Sequence, residues 1–306
     1  MNLVELGYGA AFNLLPRLPH GAVWPLFAAA AANGHRGYRR GKPGRGTATL
    51  AQNLRRVVGP DMPEEEFSAL LHRALRSYAR YYLEAFRLPG RTREQILSGF
   101  RLERGELLGQ NHEAGIGSVV ALPHAGNWDA AGAWVAAKGW PITTVAERLK
   151  PESVYLKFLA FRRSLGMEIL PLTGGERPTF DVLEERLTRD AAVVPLLADR
   201  DLTPRGVDVE FFGGRTRMPA GPALLALRTG APLYVVDMWF DADAAAGYLA
   251  GPIPMPGTDE GSLGTRVRIV TQRVADTFAE GIARHPEDWH MLQRFWLDQP
   301  AVSTVA

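Results

Sequence analysis

In the run Leu122-Pro123-His124-Ala125-Gly126-Asn127-Trp128-Asp129, an imidazole stands five residues ahead of a carboxylate. Histidine titrates near neutral pH, so it can take a proton from a reacting hydroxyl. A carboxylate on one ring nitrogen fixes the tautomer and leaves the other nitrogen free to act. Asp129 could do this for His124. The spacing alone fits a second reading equally well, a loop histidine capped by a nearby acid.

The flanking residues say where such a pair would sit. Ser118-Val119-Val120-Ala121-Leu122 is short, apolar and rich in β-branched residues, as a buried strand is. Ala130 to Lys138 is alanine-rich and amphipathic, as a helix is. His124 would then close a strand and Asp129 would lie in the first turn of a helix. The end of a sheet is an open edge on a rigid frame, which suits a base. Gly126 would let the backbone or a substrate approach closely.

A second acid stands in a similar place. Asp199 follows Ala192-Val193-Val194-Pro195-Leu196-Leu197, another apolar strand candidate. It could face His124 if the two strands are neighbours, or pair with Arg200 beside it. His285 and His290 bracket Pro286-Glu287-Asp288-Trp289, a composition that could hold a metal. Five residues apart on a helix, however, the two imidazoles would fall on different faces. No metal site is expected there.

Residues 64–87 form a strong helix, with Phe67, Leu70, Leu71, Ala74, Tyr78, Tyr81 and Ala85 at helical spacing after Asp61-Met62-Pro63. Residues 3–32 read as helical, broken near Pro16 and Pro19, and the Gly- and Arg-rich residues 33–47 as a loop. From residue 117 strands and helices alternate. Strand candidates are 118–122, 141–146, 167–171, 192–198, 207–212 and 232–239. Helices are expected at 130–138, 152–165, 178–189 and 219–229, and a last one at 265–284. The fold class expected is α/β: a mostly parallel or mixed central sheet covered by helices on both faces, with a helical N-terminal region. We read one domain over 1–306, with a basic helical portion over 1–90 and the α/β core over 117–300.

The chain has 306 residues and no cysteine. Disulfides, thiolate metal sites and a cysteine nucleophile are excluded, and a cytosolic setting is expected. No run reaches the ~18–20 apolar residues that span a bilayer, and the N-terminus does not read as a secretory signal. The net charge of +2 hides an asymmetry. Residues 6–60 contain no Asp or Glu but carry Arg17, Arg36, Arg39, Arg40, Lys42, Arg45, Arg55 and Arg56. Beside them lies Ala22-Val23-Trp24-Pro25-Leu26-Phe27 followed by five alanines. Apolar residues and a Trp next to a basic run suit the headgroup region of an anionic membrane. Nucleic acid is the rival partner; it has no use for the apolar stretch, so none is expected. An ordinary core helix followed by a solvated basic loop would also fit.

The His124–Asp129 run resembles the HxxxxD motif of glycerolipid and lipid A type acyltransferases. More segments follow in order: Ala146 to Ser153, Arg163-Ser164-Leu165-Gly166, Leu170 to Gly175, Ala198 to Leu202, Phe211-Phe212-Gly213, Arg217 to Ala223 and His285 to Gln293. With them the chain resembles the phosphatidylinositol mannoside acyltransferase family of actinobacteria over nearly its whole length. The resemblance implies transfer of a fatty acyl group, palmitoyl most of all, from acyl-CoA to a mannose hydroxyl of phosphatidylinositol mannoside. It also implies a peripheral protein at the cytoplasmic face of the plasma membrane, with no cofactor beyond acyl-CoA as co-substrate.

The implied site residues are His124 as base, Asp129 as its orienting acid and Asp199 as a second catalytic carboxylate, where the family usually carries Glu. Arg162, Arg205 and Arg228 would bind the donor. Glu147 would belong to the substrate site beside Arg148. The His285–Gln293 segment would position a loop near the active site. With no Cys and no GxSxG turn, direct attack without an acyl-enzyme is expected. The alternatives are a lipid A type acyltransferase acting on another glycolipid or using acyl carrier protein, and an inactive membrane- or lipid-binding homologue.

Overall fold

The computed structural model describes residues 14–146, 152–174, 176–201 and 203–298. After a short 3-10 turn, Leu15–Arg17, come three long helices: α1 (His20–Arg39), α2 (Arg45–Val58) and α3 (Glu64–Arg87). Then follow α4 (Arg93–Ser98), β1 (Phe100–Glu103), α5 (Glu106–Glu113), β2 (Ser118–Leu122), α6 (Trp128–Ala137), β3 (Thr143–Ala146), α7 (Glu152–Ser164), β4 (Glu168–Pro171), α8 (Thr179–Arg189) and β5 (Val193–Leu197). The chain continues through β6 (Val207–Phe211), β7 (Gly214–Met218), α9 (Gly221–Thr229), β8 (Leu233–Phe240), β9 (Ala245–Ala250) and α10 (Leu263–Arg284).

The main sheet has the order β1-β9-β8-β2-β5. Strands β8, β2 and β5 run parallel; β9 is antiparallel to β8 and parallel to β1. The sheet is therefore mixed, with its parallel part, β8-β2-β5, running to the β5 edge. Alternation along β2 explains why every residue from Val119 to Leu122 is apolar. Val119 and Ala121 enter one core with α2, α3, α8, α9 and α10, while Val120 and Leu122 enter a second core with α6 and α7. A strand buried on both faces needs apolar residues at every position. The sheet is thus covered by helices on both sides.

Several expectations are corrected. Residues 33–39 are not loop: α1 runs to Arg39 and the break covers only 40–44. Gly34 there serves packing. A Cβ on Gly34 would lie 3.3 Å from Thr47 Oγ1 and 3.4 Å from a Leu75 methyl, so Gly34 lets α1 lie close against α2 and α3. Strand 207–212 does not join the main sheet. It folds back on β7 as an antiparallel hairpin, turned by Phe212 and Gly213, both at positive φ. β3 and β4 form a parallel ribbon, which meets β5 through a single bridge from Ile142 to Val193. Strands β1, β7 and β9 lie outside the strand candidates read from the sequence. Among the described residues no helix is long and apolar enough to cross a membrane.

Candidate active site

Register brings the dyad together. Leu122 at the end of β2 pairs with Leu197 at the end of the parallel strand β5. His124 and Asp199 each lie two residues further on, so they leave the same sheet edge side by side. His124 Nδ1 is 2.6 Å from Asp199 Oδ1, and the His124 backbone N–H donates to Asp199 Oδ2 at 2.9 Å. Asp199 is fully buried, while about a third of the His124 side chain is exposed. The carboxylate accepts a hydrogen bond from the Nδ1–H, which leaves Nε2 as the lone-pair nitrogen. Nε2 has no hydrogen-bond partner among the described residues.

Burial pulls the two groups toward their neutral forms; their mutual attraction and hydrogen bond outweigh it. The His124 imidazolium is favoured, so its pKa lies above the ordinary value, moderated by Arg200. Asp199 is held below the usual carboxylate range by His124 and by the Trp289 N–H. One methylene shorter than Glu, Asp199 still reaches His124 at full hydrogen-bond contact.

Asp129 does not orient His124. It is buried, and its Oδ1 accepts from Arg162 Nε at 2.7 Å while Oδ2 accepts from the Tyr81 hydroxyl at 3.0 Å. Burial disfavours the Arg162 cation, but the Asp129 charge more than restores it. Tyr81 is pushed well above its ordinary range, first by burial and then by Asp129. The HxxxxD acid thus ties α6 to α3 and α7, and it touches the base only indirectly. Trp128 packs on Tyr81 with ring centroids 4.1 Å apart and meets His124 edge-on at 5.7 Å. The Arg162 guanidinium is thus engaged by Asp129, with about a fifth of the side chain left exposed.

The turn between them is also determined locally. Asn127 caps α6, its Oδ1 accepting from the Ala130 N–H at 2.9 Å, and its amide donates to Glu84. Gly126 has φ +54, and a Cβ there would lie 2.9 Å from Met238 Cβ and 3.0 Å from its carbonyl carbon. Only glycine lets the turn lie against β8.

The remaining candidates separate. Arg205 lies exposed in the loop after Asp199, its N–H on Thr203 Oγ1. Arg228 is not at this edge. It closes α9, and the chain then enters β8 at Leu233, which pairs with Val119 near the start of β2. That is the opposite end of the sheet, where Arg228 is paired with Glu184 at 2.7 Å. Glu147 and Arg148 lie outside the described residues. His285 and His290 do not share a helix; a 3-10 turn, Pro286–Asp288, separates them. His285 stacks on Trp239 at 4.7 Å. Among the described residues no cluster of three or more His, Cys, Asp or Glu could hold a metal.

The segment after α10 straps the active-site turn. Gly126 N–H donates to Asp288 O, Ala125 bridges Trp289, and His290 N–H donates to His124 O at 2.7 Å. Beneath it, Ser77 Oγ donates to Asp288 Oδ1 and therefore accepts from His290 Nε2 at 2.8 Å. Burial lowers His290 to about 3 and raises Asp288 to about 6. Tyr81, Ser77 and Trp289 were read as core or not singled out; nothing in the spacing of α3 marks which of its aromatics carries a working hydroxyl.

A buried carboxylate holding a histidine with one open nitrogen, at the end of a central parallel strand, suits base catalysis on a hydroxyl. The chain belongs to the bacterial lipid A biosynthesis acyltransferase family, whose model matches residues 8–298. Within it, the chain is similar to the phosphatidylinositol mannoside acyltransferase of Mycolicibacterium smegmatis, 46% identical over 96% of this chain and 92% of that protein. It is similar also to the phosphatidylinositol mannoside acyltransferase of Mycobacterium tuberculosis, 47% identical over 82% of this chain and 78% of that protein.

Proposed function

We propose that this protein transfers a fatty acyl group, palmitoyl in the first instance, from acyl-CoA to a mannose hydroxyl of phosphatidylinositol mannoside. The observation that carries the reading is the His124–Asp199 dyad with Nε2 open, in a chain so similar to proteins of that name. His124 Nε2 takes the proton of the sugar hydroxyl as its oxygen attacks the thioester carbonyl. Asp199 steadies the imidazolium that forms. The tetrahedral intermediate collapses, the C–S bond breaks, and the imidazolium returns the proton to the departing thiolate. Helix α6 starts four residues after His124, so its positive end lies at the same edge and favours the developing oxyanion. Asp129, Arg162 and Tyr81 hold that helix in place.

The reaction would occur at a membrane surface. Leu14, Leu18 and Leu26 are exposed, Leu26 at 71%, within the segment that carries the excess of arginine. Apolar side chains that enter the headgroup layer, flanked by cations, favour an anionic leaflet. The test is product analysis by mass spectrometry with palmitoyl-CoA and mannosylated phosphatidylinositol, run beside palmitoyl-acyl carrier protein and an unmannosylated acceptor. Acylation of the mannoside from the CoA thioester is expected. Transfer from the carrier protein alone would replace the donor assignment.

A further inference from the structure

Asp199 has a third contact that the proton transfer does not use. Its Oδ2 accepts from Trp289 Nε1 at 3.1 Å. Trp289 is fully buried, edge-on to Phe295 at 4.9 Å and to Phe211 at 6.2 Å, so it cannot touch substrate. Its backbone also bridges Ala125, next to the base. One residue therefore holds the histidine loop by its main chain and the acid by its side chain.

We infer that Trp289 is a positioning residue: its indole N–H fixes the rotation of the Asp199 carboxylate and limits how strongly that carboxylate holds the proton of His124. A carboxylate with two donors besides the imidazole is a weaker acceptor than one with a single donor, because the charge is already shared. Without the indole, Asp199 would bind the His124 proton more tightly, and a smaller share of the imidazole would be free to act as a base at neutral pH. The inference rests on His124 as the base, and it extends that reading to a residue of the core.

Trp289→Phe tests it, since the phenyl ring keeps most of the packing and removes the donor. The His124 titration is followed by NMR on the substrate-free protein, which does not depend on turnover. It should move up by about half a pH unit, the scale of one modest hydrogen bond. The acid limb of kcat/KM should move with it, and kcat should fall about 5- to 10-fold. An unchanged or lowered His124 titration would overturn the inference, even with a lower rate, since loose packing alone explains a uniform loss. A moved titration with an unmoved kinetic limb would instead remove His124 as the base. If the variant does not fold, the wild-type indole N–H decides. The Trp289 resonance, identified as the one displaced by Asp199→Asn, should titrate together with His124; an indole signal indifferent to that titration would overturn the inference.

Discussion

Asp199 grips His124 twice, through the ring nitrogen at 2.6 Å and through the backbone N–H at 2.9 Å. One carboxylate thus sets the tautomer, the rotamer and the position of the base. Because Asp199 raises the affinity of His124 for its proton, the base is charged and inactive below the raised pKa and becomes competent as pH rises through it. Asp199→Asn removes that attraction. The acid limb of kcat/KM should shift to lower pH, and the plateau should fall by at least ~100-fold because the amide no longer fixes the reactive tautomer. Rate profiles over pH decide it; a limb that stays in place would mean that another group titrates.

Asp199→Glu should also be harmful. Asp199 is fully buried and all its contacts are made at the present length. An added methylene in a filled site costs about 1–3 kcal/mol. Thermal unfolding should show a lower midpoint, and activity should fall as the ring is displaced. A variant as stable and active as wild type would mean that the cavity has room for the longer acid.

Asp129→Asn should separate stability from base strength. It leaves the mostly buried Arg162 cation without its counter-charge; a fully buried pair so broken costs about 3–5 kcal/mol, and the partial exposure of Arg162 puts the loss toward or below the lower end. Chemical denaturation should register that loss, while the acid limb of the surviving activity stays where it is. A limb shifted as far as that of Asp199→Asn would return Asp129 to the role of orienting acid.

Buried His290 stays neutral down to about pH 3, whereas the unfolded chain protonates it near its ordinary value of 6.5. The unfolded state therefore binds more protons over that interval, and His290 lowers stability as pH falls through it, by about 1.4 kcal/mol per unit. Asp288, raised to about 6, opposes this between about 6 and its ordinary 3.8. A difference measurement isolates the histidine. Unfolding free energies of wild type and His290→Gln should diverge in favour of the variant as pH drops below 6.5. Parallel curves would contradict the burial argument.

The parallel core was legible from β2 and β5, whose apolar runs and terminal polar residues mark buried strands ending at a site. Their adjacency was not legible. Whether Asp199 or Asp129 reaches His124 depends on strand order and register, and both acids stand at reasonable distances along the chain. The resemblance added the motif but not the partner of its acid. Strand β1 lies in a short stretch that a helix-rich context hides. Strand β9, Ala245-Ala246-Gly247-Tyr248-Leu249-Ala250, is poor in β-branched residues and gains its conformation from pairing with β8 and β1. Gly34 of α1 reads as a loop former because close packing of a helix onto its neighbours cannot be seen in one segment alone.

Vesicle binding tests the surface. Anionic vesicles should bind the protein more tightly than neutral ones, binding should weaken with salt, and Leu26→Asp should weaken it further. Each basic residue near such a surface contributes roughly 1 kcal/mol. Equal binding to both vesicle types would rule out an electrostatic anchor.

The central claim is that His124 is the base of an acyl transfer to a mannoside. It is met most directly by mass spectrometry of the lipid formed from palmitoyl-CoA and mannosylated phosphatidylinositol, by wild type and by folded His124→Ala side by side. The account predicts a mannoside carrying one new palmitoyl ester with wild type, and a rate lower by ~100- to 10,000-fold with the variant. Formation of the ester by His124→Ala at more than about a tenth of the wild-type rate would contradict it.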